Sequence, residues 1–222
     1  MADRSRGKGR SAALFDFDLT LMDTSYIITE CTNRLAGRFD LRPVTHQEMK
    51  SLIGLPIEDE WVELWGRFEQ EWLDYYRNNF RSAEMSGFRE FPDTRSALLL
   101  LRSKGVRTGV VTNRHFARLA VEQSGIADLL DVVVGLEDAA NPKPHPEPLL
   151  EALSRLEAAP EDAFYTGDTD IDMKTASAAG VTGIGVATGN FSRGELKESG
   201  AAYACSDLTE AADTILKIIE RS

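Results

Sequence analysis

The segment that decides the fold is Asp16-Phe17-Asp18-Leu19-Thr20, which directly follows the apolar run from Ala12 to Phe15. The apolar residues predict a short buried strand, and the first carboxylate stands where that strand ends. Residues two apart on a strand point to the same side, so Asp16 and Asp18 are expected to approach one point. Two anions there repel each other. The segment therefore predicts a site that needs a cation, although Asp is also common in turns and could simply end the strand.

Three later segments carry chemistry that complements this acidic pair. The acidic stretch 167–172 follows the apolar run 163–166, in the same way that Asp16 follows its strand. Val110-Val111-Thr112-Asn113 ends a predicted strand with a hydroxyl and an amide, and Asn141-Pro142-Lys143-Pro144 holds one lysine in a loop stiffened by prolines. Two acidic strand ends can together supply one metal site.

The second half of the chain predicts an α/β fold. From Phe91 onward helical and strand patterns alternate, and the predicted strands are 107–112, 132–136, 163–166, 183–186 and 202–204. Such alternation indicates a Rossmann-like parallel sheet with helices on both faces, whose ligands bind at the carboxyl ends of the strands. All four chemical segments follow such ends, so we expect them to meet.

Residues 24–88 lack this alternation and predict an all-helical insert, which leaves residues 11–23 and 89–222 as the core. Thr45 and Glu48 predict a capping box at the start of a short helix that ends at Gly54. One long amphipathic helix is expected where large apolar side chains recur at helical spacing, and we expect these side chains in a hydrophobic core: Trp61, Leu64, Trp65, Phe68, Trp72 and Tyr75.

Composition excludes several classes of partner. The 222 residues carry a net charge of −11, which argues against nucleic acid or an anionic membrane as a partner. The two cysteines, Cys31 and Cys205, have no metal-ligand or redox spacing and are expected to be buried thiols in a reducing compartment. No apolar stretch approaches a membrane span, so a cytoplasmic protein is expected. Met1 to Arg10 is expected to be a frayed, solvated tail.

Taken in order, the nucleophilic carboxylate, the hydroxyl, the lysine and the second acidic pair resemble the four motifs of the haloacid dehalogenase-like superfamily, in its phosphatase branch. The similarity extends from Leu14 to about Ala187. The resemblance implies that Asp16 is the nucleophile that forms an aspartyl-phosphate. It also implies that Asp18 protonates the leaving oxygen and then, once ionised, activates water. Dehalogenases and phosphonate hydrolases of this fold lack this second acid, so Asp18 favours phosphate esters or anhydrides as substrates.

The resemblance also implies the binding residues. Asp16, the Asp18 carbonyl and Asp168 would bind Mg²⁺ directly. Asp172 would bind the same ion either directly or through water. Thr112 and the backbone N–H of Asn113 would hold the phosphoryl oxygens, while Lys143 neutralises both the phosphate and Asp16. Asp170 does not match either of the two metal-ligand positions, Asp168 and Asp172, and we expect it to be a helix cap and not a ligand.

A small phosphorylated metabolite is the expected substrate. The helical insert resembles the small cap of this superfamily, and Ile53-Gly54-Leu55-Pro56 resembles the segment of phosphoglycolate phosphatases and related pyrophosphatases. Phosphoglycolate is therefore the first candidate, with Lys50 and Gly54 as candidate specificity residues, although Lys50 could be a solvated helix residue. Inorganic pyrophosphatase, sugar-phosphate mutase and a catalytically idle binding module are the alternatives, and four intact motifs argue against the last.

Overall fold

The computed structural model describes residues 11–221, so the expected tail at Met1 to Arg10 lies outside the described residues. The strands are β1 Ala12–Phe15, β2 Met22–Asp23, β3 Arg89–Glu90, β4 Arg107–Val111, β5 Val132–Val134, β6 Ala163–Gly167, β7 Thr182–Val186 and β8 Tyr203–Cys205. The helices are α1 Ser25–Arg38, α2 His46–Leu52, α3 Ile57–Trp65, α4 Gln70–Asn79, α5 Arg81–Ser86, α6 Thr94–Ser103, α7 Ala117–Gln123, α8 Glu147–Arg155, α9 Asp170–Ala179, α10 Arg193–Glu198 and α11 Leu208–Arg221. Three short 3₁₀ turns lie at Ala127–Leu129, Leu136–Asp138 and Pro160–Asp162.

Six strands form one parallel sheet in the order β5-β4-β1-β6-β7-β8, which confirms the predicted fold class. β1 pairs with β4 on one side and β6 on the other, and Phe15 lies opposite both Val110 and Thr166. The three strands therefore end at the same level. Their carboxyl ends carry Asp16, Thr112 and Asp168, so the register alone brings these residues to one place.

Each face of the sheet packs against helices. Ala13 and Phe15 belong to an apolar cluster that includes side chains of α6 and α11, whereas Ala12 and Leu14 belong to a second cluster with α8 and α9. This alternation follows from the period of two along a strand. Because both faces are covered, every residue of β1 is buried, and the polar residues that follow it emerge only at the strand end.

Helices α1 to α5 lie in the chain between β2 and β3 and share a separate apolar cluster. The predicted capping box is present at α2, where the Thr45 hydroxyl accepts from the N–H of Glu48 and the Glu48 carboxylate accepts from the N–H of Thr45. β2 and β3 pair in antiparallel fashion, so both connections between this helical insert and the sheet run side by side. Within residues 11–221, no helix is both long and apolar enough to cross a membrane.

The prediction of one long aromatic helix is wrong. The helix ends at Trp65, because Gly66 adopts a left-handed φ of 76°, and α4 begins only at Gln70. The chain turns between them, so Trp65 and Trp72 meet with ring centroids 5.6 Å apart. The expectation of a core holds, since Trp61 is 0% exposed and Trp72 is 3% exposed.

Candidate active site

Asp16 and Lys143 form the centre of the site. The N–H of Asp16 donates to the Thr166 carbonyl at 2.8 Å, which continues the β1–β6 pairing one residue beyond the strand. The Lys143 Nζ then donates to Asp16 Oδ1 at 2.8 Å, and both side chains are almost fully buried. The structure thus brings the predicted nucleophile and the predicted lysine into direct contact, although 127 residues separate them in the chain.

Asp168 and Asp172 complete a cluster of carboxylates. Thr20 donates to Asp168 Oδ1 at 3.0 Å, and Lys143 donates to Asp172 Oδ1 at 2.7 Å. Asp16, Asp168 and Asp172 each offer an oxygen within 4.8 Å of the other two, which is close enough for one cation to contact all three. An all-oxygen donor set of this kind suits a hard divalent cation such as Mg²⁺.

The buried position of these carboxylates disfavours their charged forms. Burial raises the pKa of Asp16 to about 7; the negative charges of Asp172 and Asp18 act in the same direction, and Lys143 opposes them. Burial also raises the pKa of Asp168 well above its usual value, again with Asp172 and Asp16 contributing. Burial alone would lower the pKa of Lys143, but the negative charges of Asp16 and Asp172 raise this pKa well above its usual value. A cation bound among the three carboxylates would favour their charged forms.

Asn113 is the junction between the sheet, the lysine loop and the helical insert. Its side-chain oxygen accepts from the N–H of Lys143 at 2.9 Å, and its Nδ2 donates to the carbonyls of Lys143 and Gly54, both at 3.0 Å. Gly54 has φ of 116°, a conformation that favours glycine. Thr112 is 3% exposed, and its Oγ1 accepts from the N–H of Arg114 at 3.3 Å.

Both oxygens of Asp18 accept hydrogen bonds from other side chains in this structure. The Arg114 guanidinium donates to Asp18 Oδ1 at 2.5 Å and to Oδ2 at 3.0 Å, and Thr24 donates to Oδ1 at 2.7 Å. Arg114 also binds Glu84 of α5, whose second oxygen accepts from Tyr76 at 2.6 Å. An ion-pair network therefore links the proposed acid to the helical insert.

Lys50 lies on another side of the site. Its Nζ donates to the Gly189 carbonyl at 3.2 Å, in the loop that follows β7. A Cβ placed on Gly189 would lie 1.8 Å from Asp168 Oδ2, so this loop closely approaches the carboxylate cluster. Lys50 is thus near the carboxylate cluster, and its part in specificity stays a prediction.

The expectation that Asp170 caps a helix is wrong. Thr169 is the N-cap residue of α9: its hydroxyl accepts from the N–H of Asp172, and the Asp172 carboxylate accepts from the N–H of Thr169. Asp170 is instead the first residue of the helix and pairs with Lys174 one turn later at 2.5 Å. The reason is the reciprocal capping box between Thr169 and Asp172, which needs a spacing of three residues that Asp170 does not have.

Sequence reasoning missed Tyr165, Thr20 and Arg114. Tyr165 lies inside β6 and accepts from Lys143 Nζ at 2.9 Å, while its hydroxyl also lies 2.8 Å from the Val111 carbonyl. A tyrosine in an otherwise apolar strand, three residues before Asp168, was an available signal. Arg114 directly follows Asn113 and was detectable as a charge next to a strand end. No local signal pointed to Glu84.

We predict that Arg114→Met destabilises the protein by about 3 kcal/mol, because it leaves Asp18 and Glu84 buried without their cation. The Arg114 side chain is only 10% exposed, so solvent cannot replace it. Denaturant unfolding measures the loss. Adding Glu84→Gln to this variant should recover part of the lost stability, since it removes one of the two buried negative charges that no longer have a cation. Equal stability of wild type and Arg114→Met would show that this network contributes little.

Comparison with known proteins agrees with this geometry. The family model described as haloacid dehalogenase-like hydrolase matches residues 13–186. Pyrophosphatase PpaX of Anoxybacillus flavithermus is 28% identical over 176 residues, which cover 78% of this chain and 82% of that protein. A haloacid dehalogenase-like hydrolase from Bacteroides fragilis has a similar structure, with 32% identity, a TM-score of 0.82 and coverage of 91% of this chain and 99% of that one. A predicted phosphatase from Clostridium acetobutylicum has 26% identity and a TM-score of 0.84, and the match covers 95% of this chain and 100% of that one.

Proposed function

Because this chain belongs to the haloacid dehalogenase-like hydrolases, we propose that it is a Mg²⁺-dependent phosphatase that hydrolyses a small phosphorylated metabolite through an aspartyl-phosphate on Asp16. The observation that carries the proposal is the convergence of Asp16, Asp168 and Asp172 around Lys143 at the ends of neighbouring strands. A nucleophile, a cation-binding cluster and a fixed positive charge are the parts that phosphoryl transfer needs.

In the first step an oxygen of Asp16 attacks phosphorus, and the bond between phosphorus and the leaving oxygen breaks. The β1–β6 hydrogen bond and Lys143 fix the direction of the Asp16 carboxylate, which favours in-line attack. Asp18 gives its proton to the leaving oxygen. In the second step ionised Asp18 takes a proton from water, and the water attacks the aspartyl-phosphate, which regenerates Asp16 and releases phosphate.

Asp18 has to change partners before it can act. Both of its oxygens accept from Arg114 in this structure, so the carboxyl group must release at least one of these bonds to approach a leaving oxygen. Arg114 also binds Glu84 in the helical insert, so the guanidinium keeps a partner when Asp18 releases it.

The donor set fits Mg²⁺. We propose that Asp16, Asp168 and the Asp18 carbonyl hold it, with Asp172 bound directly or through water. Asp172 already accepts from Lys143, Tyr165 and Thr169, which favours the contact through water. Bound Mg²⁺ would neutralise charge on the phosphoryl oxygens in the transition state. Thr112 and the N–H of Asn113 would hold the remaining oxygens beside Lys143.

We also propose that residues 24–88 act as a cap over the core formed by residues 11–23 and 89–222. The hydrogen bond from Asn113 to the Gly54 carbonyl supports this assignment, because it ties the insert to the phosphate-binding segment. The location we propose is cytoplasmic. Cys31 and Cys205 are buried and free, as in a reducing compartment.

The experiment that tests the function is a panel of phosphorylated compounds with Mg²⁺, scored for released phosphate. Phosphoglycolate, pyrophosphate, sugar phosphates and a generic aryl phosphate belong in it. Pyrophosphate is the second candidate, because a relative is named a pyrophosphatase. We expect release from at least one ester and from the aryl phosphate. A mutase would instead convert one sugar phosphate into another without releasing phosphate, and inactivity on the whole panel would contradict the proposal.

A further inference from the structure

A cavity of about 90 Å³ lies between the helical insert and the strand ends. Residues from both sides line it, among them Asp18, Thr112, Asn113, Glu60, Tyr76 and Glu84. The cavity therefore joins the phosphate-binding end of the proposed site to a wall made by the insert. A leaving group that extends from the phosphate beyond Asp18 would enter this space.

Glu60 is the acid in this wall that lacks a partner. It is 7% exposed, and within residues 11–221 no group donates a hydrogen bond to its carboxyl group. The other two acids already have donors, since Asp18 binds Arg114 and Thr24, and Glu84 binds Arg114 and Tyr76. A ligand in the cavity that supplies a hydrogen-bond donor to this largely buried carboxyl group of Glu60 therefore gains affinity.

The charges around Glu60 favour a donor over an anion. Burial, followed by the negative charge of Asp18, raises the pKa of Glu60 well above its usual value, while Arg114 opposes them. Three arginines line the cavity, and within the part of the chain that the structure describes the Nε of Arg81 is buried without a hydrogen-bond partner. Arg114 binds Asp18 and Glu84, and the guanidinium carbons of Arg77 and Arg81 lie 5.7 and 3.9 Å from the centroid of the Phe116 ring. A carboxylate of the leaving group placed beside Asp18 and Glu60 would face two acids.

We propose that Glu60 binds a hydroxyl or ammonium group on the leaving group, so that the preferred substrates are phosphate esters of polyols or amino alcohols. The inference rests on the proposed function, because it assigns the leaving group of the same reaction. It disfavours phosphoglycolate, whose carboxylate would face Asp18 and Glu60. Glu60 acts here as a specificity residue, since it contacts the part of the substrate that does not react.

The test is a series of alkyl phosphates of two, three and four carbons that end in a methyl, hydroxyl, ammonium or carboxylate group. For wild-type enzyme with Mg²⁺, we expect kcat/KM for the hydroxyl or ammonium ester to exceed that of the methyl ester of equal length by about tenfold or more. The carboxylate ester should be the poorest of the four. The chain length with the largest preference shows how far the end group must extend to contact Glu60. The comparison of end groups shows whether Glu60 prefers a hydroxyl or an ammonium group.

Two variants assign the preference to Glu60. Glu60→Leu, which is similar in volume and apolar, should remove the advantage of both donor esters, whereas Glu60→Gln should remove the advantage of the ammonium ester and keep part of that of the hydroxyl ester. Glu63→Gln is the matched control, because Glu63 lies on the same helix and is exposed. Circular dichroism and the thermal midpoint confirm that each variant is folded.

The outcomes separate the inference from the function. If wild type hydrolyses the aryl phosphate but prefers carboxylate or methyl esters at every length, Glu60 is not the recognition residue, and this result needs no variant. The same follows if both Glu60 variants change kcat/KM equally for all four end groups. Failure to hydrolyse any ester, the aryl phosphate included, would instead contradict the proposed function.

Discussion

Asp16→Asn is expected to lower turnover by about a thousandfold or more, because an amide oxygen cannot replace a carboxylate as the nucleophile at phosphorus. The fold should persist. Asn has the same size as Asp, and the main-chain N–H of residue 16 still binds the Thr166 carbonyl. Lys143 keeps Asp172 and Tyr165 as partners. Steady-state rates on the best substrate of the panel, with the thermal midpoint measured in parallel, test this result.

Deamidation of the introduced asparagine back to aspartate would imitate residual activity, so intact-mass measurement of the variant is the necessary control. A second measurement does not depend on turnover. Fluoroberyllate mimics a phosphoryl group on a carboxylate and should raise the thermal midpoint of the wild type in the presence of Mg²⁺, but not that of Asp16→Asn. Near wild-type turnover by a variant of confirmed mass would exclude the covalent mechanism.

Removal of the metal is expected to have an effect of similar size. Chelator should abolish activity, and added Mg²⁺ should restore it, because Asp16, Asp168 and Asp172 cannot accept a phosphate dianion without a cation between them. Asp168→Asn should reduce kcat/KM by about a hundredfold or more. Since the pKa of Asp16 is raised to about 7 before metal binds, protons compete with Mg²⁺. The Mg²⁺ concentration for half-maximal activity should therefore rise as pH falls below about 7.

Asp170→Asn supplies the matched control for Asp168→Asn, because Asp170 lies two residues away and pairs with Lys174 outside the carboxylate cluster. We expect Asp170→Asn to lower kcat/KM only slightly. Asp172→Asn should impair activity through the loss of its charge beside Lys143. Full activity in chelator would contradict the metal site, while a severe Asp170 defect together with a mild Asp168 defect would show that the ligands are assigned wrongly.

The sequence predicted those parts of the site that a strand end fixes. Asp16, Thr112 and Asp168 each follow a short apolar run, and parallel strands in one sheet must end at the same edge. Their meeting therefore needed no knowledge of tertiary contacts. Lys143 stands in a loop, and its place followed from the resemblance to a family and not from a strand. Of these residues, the structure brings Asp16, Asp168 and Lys143 together, and Asp172 joins them.

The parts that were missed depend on contacts between distant segments. Arg114 has two partners, Asp18 and Glu84, which lie 96 and 30 residues away and on different structural units. Periodicity carries no information about such a pair. The break between α3 and α4 was missed for a different reason. The apolar residues keep their helical spacing on both sides of Gly66, but the helical backbone ends there. Glu60 lies on the apolar side of α3, where a carboxylate interrupts the pattern.

The antiparallel pair of β2 and β3 bears on how proteins of this architecture can diversify. Met22 lies opposite Glu90 and Asp23 lies opposite Arg89, so the chain leaves and re-enters the core at adjacent points. Segments of other lengths could be joined at such neighbouring ends without altering the register of the main sheet. For protein engineering, we expect the pair to mark the splice points at which residues 24–88 can be exchanged for another insert, with Arg114 and Asn113 among the residues whose contacts must be rematched.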